Sequence, residues 1–323
     1  MNIFEEKIEK AKTICILGHQ NPDGDCIGST LAIYNYIKNK YGDSKKVVPY
    51  LDYFSKKFLI LPNADKISND DKDACKFDLA IIVDSSDVER LGNYKRYFDE
   101  AKDSILFDHH ENNIFPARVS VVDQNIIATC EVLYPFLDKK YIDKNVAECL
   151  YVGLATDSGV FRYKATDKKT FLIVSELLGY GFDFTHLLDV IVFANSLKQR
   201  KAQGVVFDRL KLICKGQVSY SYILESEMNQ LGVDKNDLDN IIVYLREMEN
   251  IKIAAFTYPV GHNIYKFSLR SNSEIYNMSK FARAHDGGGH ILAAGCMYYG
   301  EIDLVSKNFE KDMAEFIEKC ENN

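Results

Sequence analysis

Three short apolar runs, each followed at once by a polar cluster, constrain the fold of this chain most. Thr13–Leu17 precedes GHQNPDGD, Leu79–Val83 precedes DSSD, and Ser104–Phe107 precedes DHHENN. Helical patterns alternate with these runs, at Ser29–Lys40, Ala128–Leu137, Lys144–Ala155 and Asp167–Tyr180. Strands that alternate with helices predict a doubly wound, mostly parallel sheet. The three polar clusters should then meet at the edge formed by the carboxyl ends of the strands, where such folds bind ligands.

The second half of the chain has a different pattern. The predicted strands are Gln217–Leu224, Ile251–Val260 and Ile264–Ser271, and the predicted helices are Asp237–Glu249, Glu274–Ala284 and Asp303–Cys320. Gly261, His262 and Asn263 join the last two strands and predict a hairpin. We therefore predict an α/β domain over residues 1–184, a helical connector over 185–212 and a smaller α+β domain over 213–323.

Composition excludes several classes of protein. The 323 residues include 40 basic and 47 acidic side chains, for a net charge of −7. Proteins that coat long nucleic acids carry broad basic surfaces, so we do not expect such a partner. No stretch approaches the roughly 18 apolar residues of a membrane span, and the charged N-terminus does not resemble a signal peptide. Eight scattered cysteines without a C-x-x-C pair predict free thiols and a cytoplasmic location.

The candidate metal ligands selected from the sequence are His and Asp, with no Cys among them. Taken singly, Asp23 and Asp25 around Gly24 fit an Asx turn, and Asp84 fits a helix cap. Taken together, imidazole and carboxylate groups at one sheet edge favour Mn²⁺, Mg²⁺ or a related ion over a structural zinc. So many ligands suit two ions about 3.5–4 Å apart, bridged by one carboxylate. The candidates are His19, Asp23, Asp25, Asp84, Asp108, His109, His110 and Asp157.

The order and spacing of these residues resemble a known family. H-x-x-x-D-x-D at residues 19–25, an Asp after an apolar strand, D-H-H at 108–110 and T-D-S-G at 156–159 resemble the DHH phosphoesterase superfamily. DGGGHILAAG at 286–295, preceded by SLRS at 268–271, resembles the DHH-associated C-terminal domain. Within the superfamily, the chain is most similar to the stand-alone nanoRNase and pAp phosphatase type.

The resemblance implies roles for the residues of the first domain. One divalent ion would be held by His19, Asp23 and Asp84. A second would be held by Asp25, Asp84, His109 and Asp157, with Asp84 as the bridge. Asp108 would orient a ligand histidine, and His110 would face the scissile phosphate. The expected ions are two Mn²⁺, with Mg²⁺ or Co²⁺ as substitutes.

A glycine run marks the predicted substrate site of the second domain. Three successive glycines let backbone N–H groups approach an anion without Cβ atoms in the way. An imidazole and a guanidinium beside that run would suit a terminal phosphate. The predicted substrate-binding residues are Arg270, Ser271, Gly287, Gly288, Gly289 and His290. Arg162 is a further candidate, for which an exposed turn is nearly as good an interpretation.

The resemblance implies a hydrolase that uses two metal ions to activate water. Its substrates would be short oligoribonucleotides, pAp or both, cleaved to nucleoside monophosphates in the manner of an exoribonuclease. The alternative is a phosphodiesterase for cyclic or linear dinucleotides such as c-di-AMP and pApA. An inorganic pyrophosphatase of the DHH type is disfavoured by the GGGH element. A non-catalytic nucleotide-binding protein is disfavoured because every ligand position is filled. We expect no membrane partner. A homodimer is compatible with the predicted function.

Overall fold

The computed structural model describes residues 2–70, 76–238 and 240–322. These residues form two compact units that divide between Ala194 and Asn195, inside the segment 185–212 that the sequence predicts as a connector. Cys75, and Asp239 of the predicted helix at 237–249, lie outside the described residues. No helix in the described ranges combines the length and the apolar character that crossing a membrane requires.

The first unit contains a five-stranded sheet in which every neighbouring pair is parallel. Its strands are β1 (Thr13–Leu17), β2 (Lys46–Tyr50), β3 (Leu79–Val83), β4 (Asp103–Asp108) and β5 (Val119–Val122), in the order β2-β1-β3-β4-β5. Successive residues of β1 enter different cores: Ile14 and Ile16 pack on one face, and Cys15 and Leu17 pack on the other. Both faces are therefore covered, which explains why the strands are continuous apolar runs. The predicted doubly wound sheet is confirmed.

Helices flank this sheet. They are α1 (Ile3–Lys10), α2 (Gly24–Tyr41), α3 (Lys95–Glu100), α4 (Thr129–Leu133), α5 (Lys144–Asp157), α6 (Lys168–Leu178) and α7 (Phe184–Leu188). The helix predicted at 128–137 is shorter than expected, because Pro135 falls in a 3-10 turn at Tyr134–Phe136 that follows α4. Helices α2 and α5 approach closely at Gly28, where a Cβ atom would lie 2.6 Å from the Cys149 carbonyl oxygen. This close approach brings the start of α2 to the end of α5.

The second unit contains a mixed six-stranded sheet. Its strands are β6 (Lys211–Ile213), β7 (Val218–Tyr222), β8 (Ile253–Gly261), β9 (Ile264–Ser271), β10 (Gly288–Gly289) and β11 (Ala293–Tyr299), in the order β10-β11-β9-β8-β7-β6. Its helices are α8 (Leu197–Asp208), α9 (Glu225–Leu231), α10 (Ile241–Arg246), α11 (Met278–Arg283) and α12 (Ile302–Glu321). The predicted hairpin joins β8 to β9, and Asn263 takes the left-handed conformation at its turn, with φ of +54°. The predicted α+β class of this half is confirmed.

Candidate metal centre

The predicted ligands meet at the carboxyl ends of three neighbouring strands. His19 follows β1, Asp84 follows β3 directly, and Asp108 is the last residue of β4. The sheet order reverses between β1 and β3, because β2 lies on one side of β1 and the later strands lie on the other. Such a reversal leaves a crevice at the carboxyl edge, which is where folds of this type bind ligands.

The two carboxylates of the D-x-D segment have different partners. Asp23 is the N-cap of α2, and its Oδ1 accepts the N–H groups of Asp25 and Cys26 at 3.1 Å. Asp25 is buried, and its carboxylate accepts the N–H groups of Thr129 at 2.6 Å and Cys130 at 3.0 Å. The Asx-turn interpretation of Asp23 thus describes a real contact. Asp25, however, is fixed by α4, a contact between residues about a hundred positions apart in the chain.

Asp84 lies at the middle of the cluster. Its side chain is 1% exposed. Its Oδ2 lies 3.3 Å from His19 Nε2, and its Oδ1 lies 3.7 Å from His109 Nε2. Thr129 Oγ1 donates to the same Oδ1 at 3.1 Å. The backbone at Asp84 has φ of +55°, an uncommon conformation for a residue other than glycine, which the surrounding contacts must hold in place.

The tautomers of two histidines are set by backbone carbonyls. His19 Nδ1 lies 2.7 Å from the Gln20 carbonyl oxygen, and His109 Nδ1 lies 3.2 Å from the Ile126 carbonyl oxygen. A carbonyl oxygen only accepts, so each Nδ1 carries the proton. Each Nε2 therefore faces Asp84 and is the ring nitrogen that could bind a metal ion in place of a proton, with Nδ1 held as it is in metal-binding histidines.

Asp108 contacts His110 and not His109. Its Oδ1 accepts from His110 Nδ1 at 2.7 Å, while its Oδ2 accepts from Asn113 Nδ2 at 2.5 Å. Asp108 thus contacts a histidine that belongs to one group of candidate ligands, whereas His109 turns its Nδ1 toward a backbone carbonyl. Asp108 fixes the imidazole that the resemblance assigns to the scissile phosphate.

His109 also connects the cluster to the end of α5. Its Nε2 lies 3.0 Å from Asp157 Oδ2, and Asp157 is the last residue of that helix. The chain then passes through three left-handed residues, Gly159, Val160 and Phe161, with φ between +57° and +62°. Ser158 Oγ holds this turn by accepting the Phe161 N–H at 2.8 Å. Arg162 follows at an exposed position.

The charges of the cluster shift the pKa of its members strongly. Burial raises the pKa of Asp25, and repulsion from Asp84 and Asp157 raises it further. Burial opposes protonation of His109, but its hydrogen bond with Asp157 and the nearby carboxylates raise its pKa to about 10. Burial would raise the pKa of Asp84 as well, but its hydrogen bond with His19 and the charges of His19, His110 and His109 together lower the pKa to about 2. The groups thus hold protons that compensate for concentrated negative charge, a function that bound cations would also serve.

Three overlapping groups of side chains bring potential ligand atoms within 4.8 Å of one another. They are His19 with Cys26 and Asp84, Asp84 with His109 and His110, and Asp25 with His109 and Asp157. Asp84 belongs to two of these groups, and His109 also belongs to two. The donor set and the tautomers fit divalent cations, and carboxylate and imidazole ligands suit Mn²⁺ among them.

Sequence reasoning missed several residues of this centre. Thr129, which donates to Asp84, stands at the start of a predicted helix with no feature to distinguish it. Asn113 lies inside a polar cluster and Cys26 beside one, but neither is among the predicted site residues. Arg90, which approaches His110, is also absent from the prediction. Asn113 was identifiable in principle, because it belongs to the polar run that follows β4.

The predicted substrate residues of the second unit are placed around β10 and β11. Arg270 on β9 is paired with Ala293 of β11, and the His290 N–H donates to the Ala293 carbonyl oxygen at 2.7 Å. His290 is exposed. Ser271 is buried, and its hydroxyl donates to the Ser273 carbonyl oxygen at 2.7 Å, a contact that supports a turn.

The three glycines differ in their surroundings. A Cβ atom at Gly287 would lie 2.1 Å from the Gly295 carbonyl oxygen, and one at Gly289 would lie 2.6 Å from the Ala293 carbonyl oxygen. A Cβ atom at Gly288 would meet nothing within 4 Å. Gly287 and Gly289 are thus required by the close packing of β10 on β11, whereas Gly288 borders open space.

Comparison with known proteins assigns both halves of the chain. The profile of the DHH family, N-terminal domain, matches residues 13–154, and that of the DHHA1 domain matches residues 215–322. The first range contains each candidate ligand except Asp157, which lies just beyond it.

Relatives and a solved structure extend this similarity to most of the chain. A probable bifunctional oligoribonuclease and PAP phosphatase NrnA from Streptococcus mutans is 28% identical, over 91% of this chain and 92% of the relative. The bifunctional oligoribonuclease and PAP phosphatase NrnA from Bacillus subtilis is 25% identical, over 92% and 94%. An exopolyphosphatase-related protein from Bacteroides fragilis has the same fold, with a TM-score of 0.90 and 23% identity over 98% of this chain and 96% of that one. The chain belongs to the DHH family and carries a DHH domain followed by a DHHA1 domain.

Proposed function

We propose that this chain is a metal-dependent phosphoesterase that hydrolyses short oligoribonucleotides, pAp or both to nucleoside monophosphates. The observation that carries the proposal is the position of Asp84, which is shared by two groups of candidate ligands at the carboxyl edge of the sheet. The relatives named as oligoribonucleases and PAP phosphatases match about nine-tenths of the chain, which supports this choice of substrates.

The ligands divide into two sets that share Asp84. His19, Asp23 and Asp84 would hold one ion; Asp25, Asp84, His109 and Asp157 would hold the other. His19 Nε2 lies 3.3 Å from Asp84 and 4.0 Å from Asp23, and His109 Nε2 lies 3.0 Å from Asp157. Bound divalent ions lower the pKa of water and neutralise charge on a phosphoryl group. Mn²⁺ is the ion we expect, because the donors are imidazoles and carboxylates.

Side chains of the first unit prepare this centre for a phosphate ester. Asp25 and Asp84 are held by Thr129 and by the start of α4, so their positions do not depend on solvent. Asp108 engages His110 Nδ1, so this hydrogen bond does not use Nε2. His110 would thus present one nitrogen to the phosphate or to the leaving oxygen, in an orientation fixed before the substrate arrives.

The second unit would bind a phosphate of the nucleotide. Arg270 and His290 supply positive or hydrogen-bonding groups, and Gly288 supplies a backbone without a Cβ atom beside open space. Ser271, Gly287 and Gly289 would act by shaping this region, since their atoms are engaged in a turn or in strand packing. Arg162 remains a candidate contact from the first unit. We also propose a reducing, cytoplasmic location, because the eight cysteines are scattered along the sequence and include no C-x-x-C pair.

The direct test is a parallel assay with Mn²⁺ on an RNA dinucleotide, pAp, cyclic di-AMP and pyrophosphate. We expect turnover of the dinucleotide, of pAp or of both, lost on chelation and in Asp84→Asn. Asp65→Asn is the matched control, because Asp65 is exposed and pairs with Lys66. Faster hydrolysis of cyclic di-AMP would favour the dinucleotide phosphodiesterase instead, and turnover of pyrophosphate alone would refute the proposal.

A length series of single-stranded RNA tests whether the enzyme prefers short substrates. Because the chain carries a net charge of −7, we do not expect it to hold a long strand electrostatically, and rates should be highest for about two to five nucleotides. Equal kcat/KM for a dinucleotide and for a chain of about twenty nucleotides would identify a general exonuclease.

A further inference from the structure

Arg90 lies on a segment that is hydrogen-bonded to, and packed against, the loop that carries His19. The segment Val88–Tyr94 follows β3 as a 3-10 stretch. The Arg90 carbonyl oxygen accepts the Gln20 N–H at 2.7 Å. Gly92, with φ of +54°, lies directly against the Gln20 side chain, where a Cβ atom would be only 2.3 Å from Nε2. The backbone at Arg90 therefore has a fixed position beside the metal centre.

The Arg90 side chain approaches His110 Nε2, the ring nitrogen that does not contact Asp108. Its Nη1 lies 3.4 Å from His110 Nε2. The side chain is partly buried, and among the residues that the structure describes no carboxylate forms an ion pair with it. A guanidinium has five N–H donors in a planar fork, so contact with one imidazole nitrogen leaves most of them available.

The negative charge of the metal centre favours a cation such as the Arg90 guanidinium beside it. The carboxylates of Asp23, Asp25, Asp84, Asp108 and Asp157 carry five negative charges when ionised. Two divalent ions would balance four of them, and the neutral histidines would add nothing. A phosphate ester brings further negative charge, which favours a nearby guanidinium that can bind its oxygens in a bidentate manner.

We propose that Arg90 is a catalytic residue that binds a non-bridging oxygen of the phosphate group held at the metal centre, next to His110. The inference rests on the proposed function and deepens it, because it names the side chain of the first unit that recognises the phosphate. Its ligand class is a phosphate monoester or diester, and inorganic phosphate is the simplest member that can be measured without turnover.

The experiment compares Arg90→Ala and Arg90→Lys with Lys95→Ala in the Mn²⁺-loaded protein. Lys95 is a suitable control because it is a nearby cation that forms an exposed ion pair with Glu89. Calorimetry measures Mn²⁺ and then inorganic phosphate binding, and kinetics measures kcat and KM for pAp and a dinucleotide. We expect Arg90→Ala to keep its Mn²⁺ and to lose about ten- to a hundredfold in phosphate affinity and in kcat/KM. Arg90→Lys should lose less, and added guanidinium should partly restore Arg90→Ala but not change Lys95→Ala.

The outcomes separate this inference from the proposed function. Unchanged phosphate affinity in Arg90→Ala with full Mn²⁺ content would overturn it. Loss of Mn²⁺ or of thermal stability in both Arg90 variants would assign the residue a structural role and would also overturn it. A wild-type protein that binds phosphate but cleaves neither pAp nor a dinucleotide would refute the proposed function, while the effect of Arg90→Ala on phosphate affinity would still decide the role of Arg90.

Discussion

Replacing Thr129 by valine should weaken metal binding without disturbing the fold. Thr129 is fully buried, and its hydroxyl donates to Asp84 Oδ1 at 3.1 Å. Its backbone N–H, which donates to Asp25 at 2.6 Å, is unaffected by the substitution. Valine has nearly the same shape as threonine, so the change removes one hydrogen bond to the carboxylate that both groups of ligands share.

The size of the effect follows from the charge of the acceptor. A hydrogen bond to an ionised group contributes roughly 1.5–3 kcal/mol. Without it, the ionised form of Asp84 is less stable, and a proton competes better with the metal. Loss of a partner that orients a metal ligand typically lowers metal affinity by about 10- to 100-fold. We expect a decrease in this range for Mn²⁺, measured by calorimetry at neutral pH.

The chain provides a matched control for this substitution. Thr30 is also fully buried, and its hydroxyl has no hydrogen-bond partner within the described part of the chain. Thr30→Val therefore makes the same chemical change without removing a contact, and it should leave Mn²⁺ affinity unchanged. Equal Mn²⁺ affinities for Thr129→Val, Thr30→Val and the wild type would refute the idea that Thr129 supports the metal centre.

Three further predictions test the centre and the second unit. Asp84→Asn should abolish Mn²⁺ binding by both of the proposed ligand sets; calorimetry showing one intact site would contradict the shared position. Gly287→Ala, which places a Cβ atom 2.1 Å from a carbonyl oxygen, should destabilise the protein by more than about 2 kcal/mol, whereas Gly288→Ala should change the free energy of unfolding by less than about 0.5 kcal/mol in urea titrations. In metal-free protein, the pKa of His109 is raised from 6.5 to about 10, so the folded state binds more protons than the unfolded state across that window. Its stabilising contribution is full below pH 6.5 and is lost as pH rises; calorimetric scans after chelation should show Tm falling between pH 6.5 and 9, and a rising Tm would contradict this sign.

The parallel sheet could be predicted from the sequence because its central strands are buried on both faces. Thr13–Leu17 and Leu79–Val83 are found with the predicted bounds, since continuous apolar runs leave little choice of structure. The edge strands β2 and β5 were not predicted. Residues Val119–Val122 alternate between partly buried and exposed positions, and such a short half-exposed strand has no distinctive apolar run.

In the second unit, the strand at Ala293–Tyr299 was missed for another reason. It begins shortly after the glycine run and contains Gly295, so its local pattern resembles a loop. Its identity as a strand comes from pairing with β9 on one side and with β10 on the other. Pairing between residues distant in the chain is information that a local pattern does not contain.

The same distinction explains which parts of the metal centre were predictable. Most candidate ligands could be found because they follow an apolar strand or lie in a polar cluster, and the sheet edge gathers such positions in any strand order. Asp157, which ends α5, was identified from T-D-S-G instead. Thr129 and Arg90 could not be found in this way, because each stands in an ordinary helical or turn segment. Their roles depend on the order β2-β1-β3-β4-β5, which places α4 over Asp25 and Asp84 and turns the segment after β3 toward His110. The sheet topology therefore determines which side chains, such as Thr129 and Arg90, contact the candidate ligands. The candidate ligands themselves can be identified in the sequence.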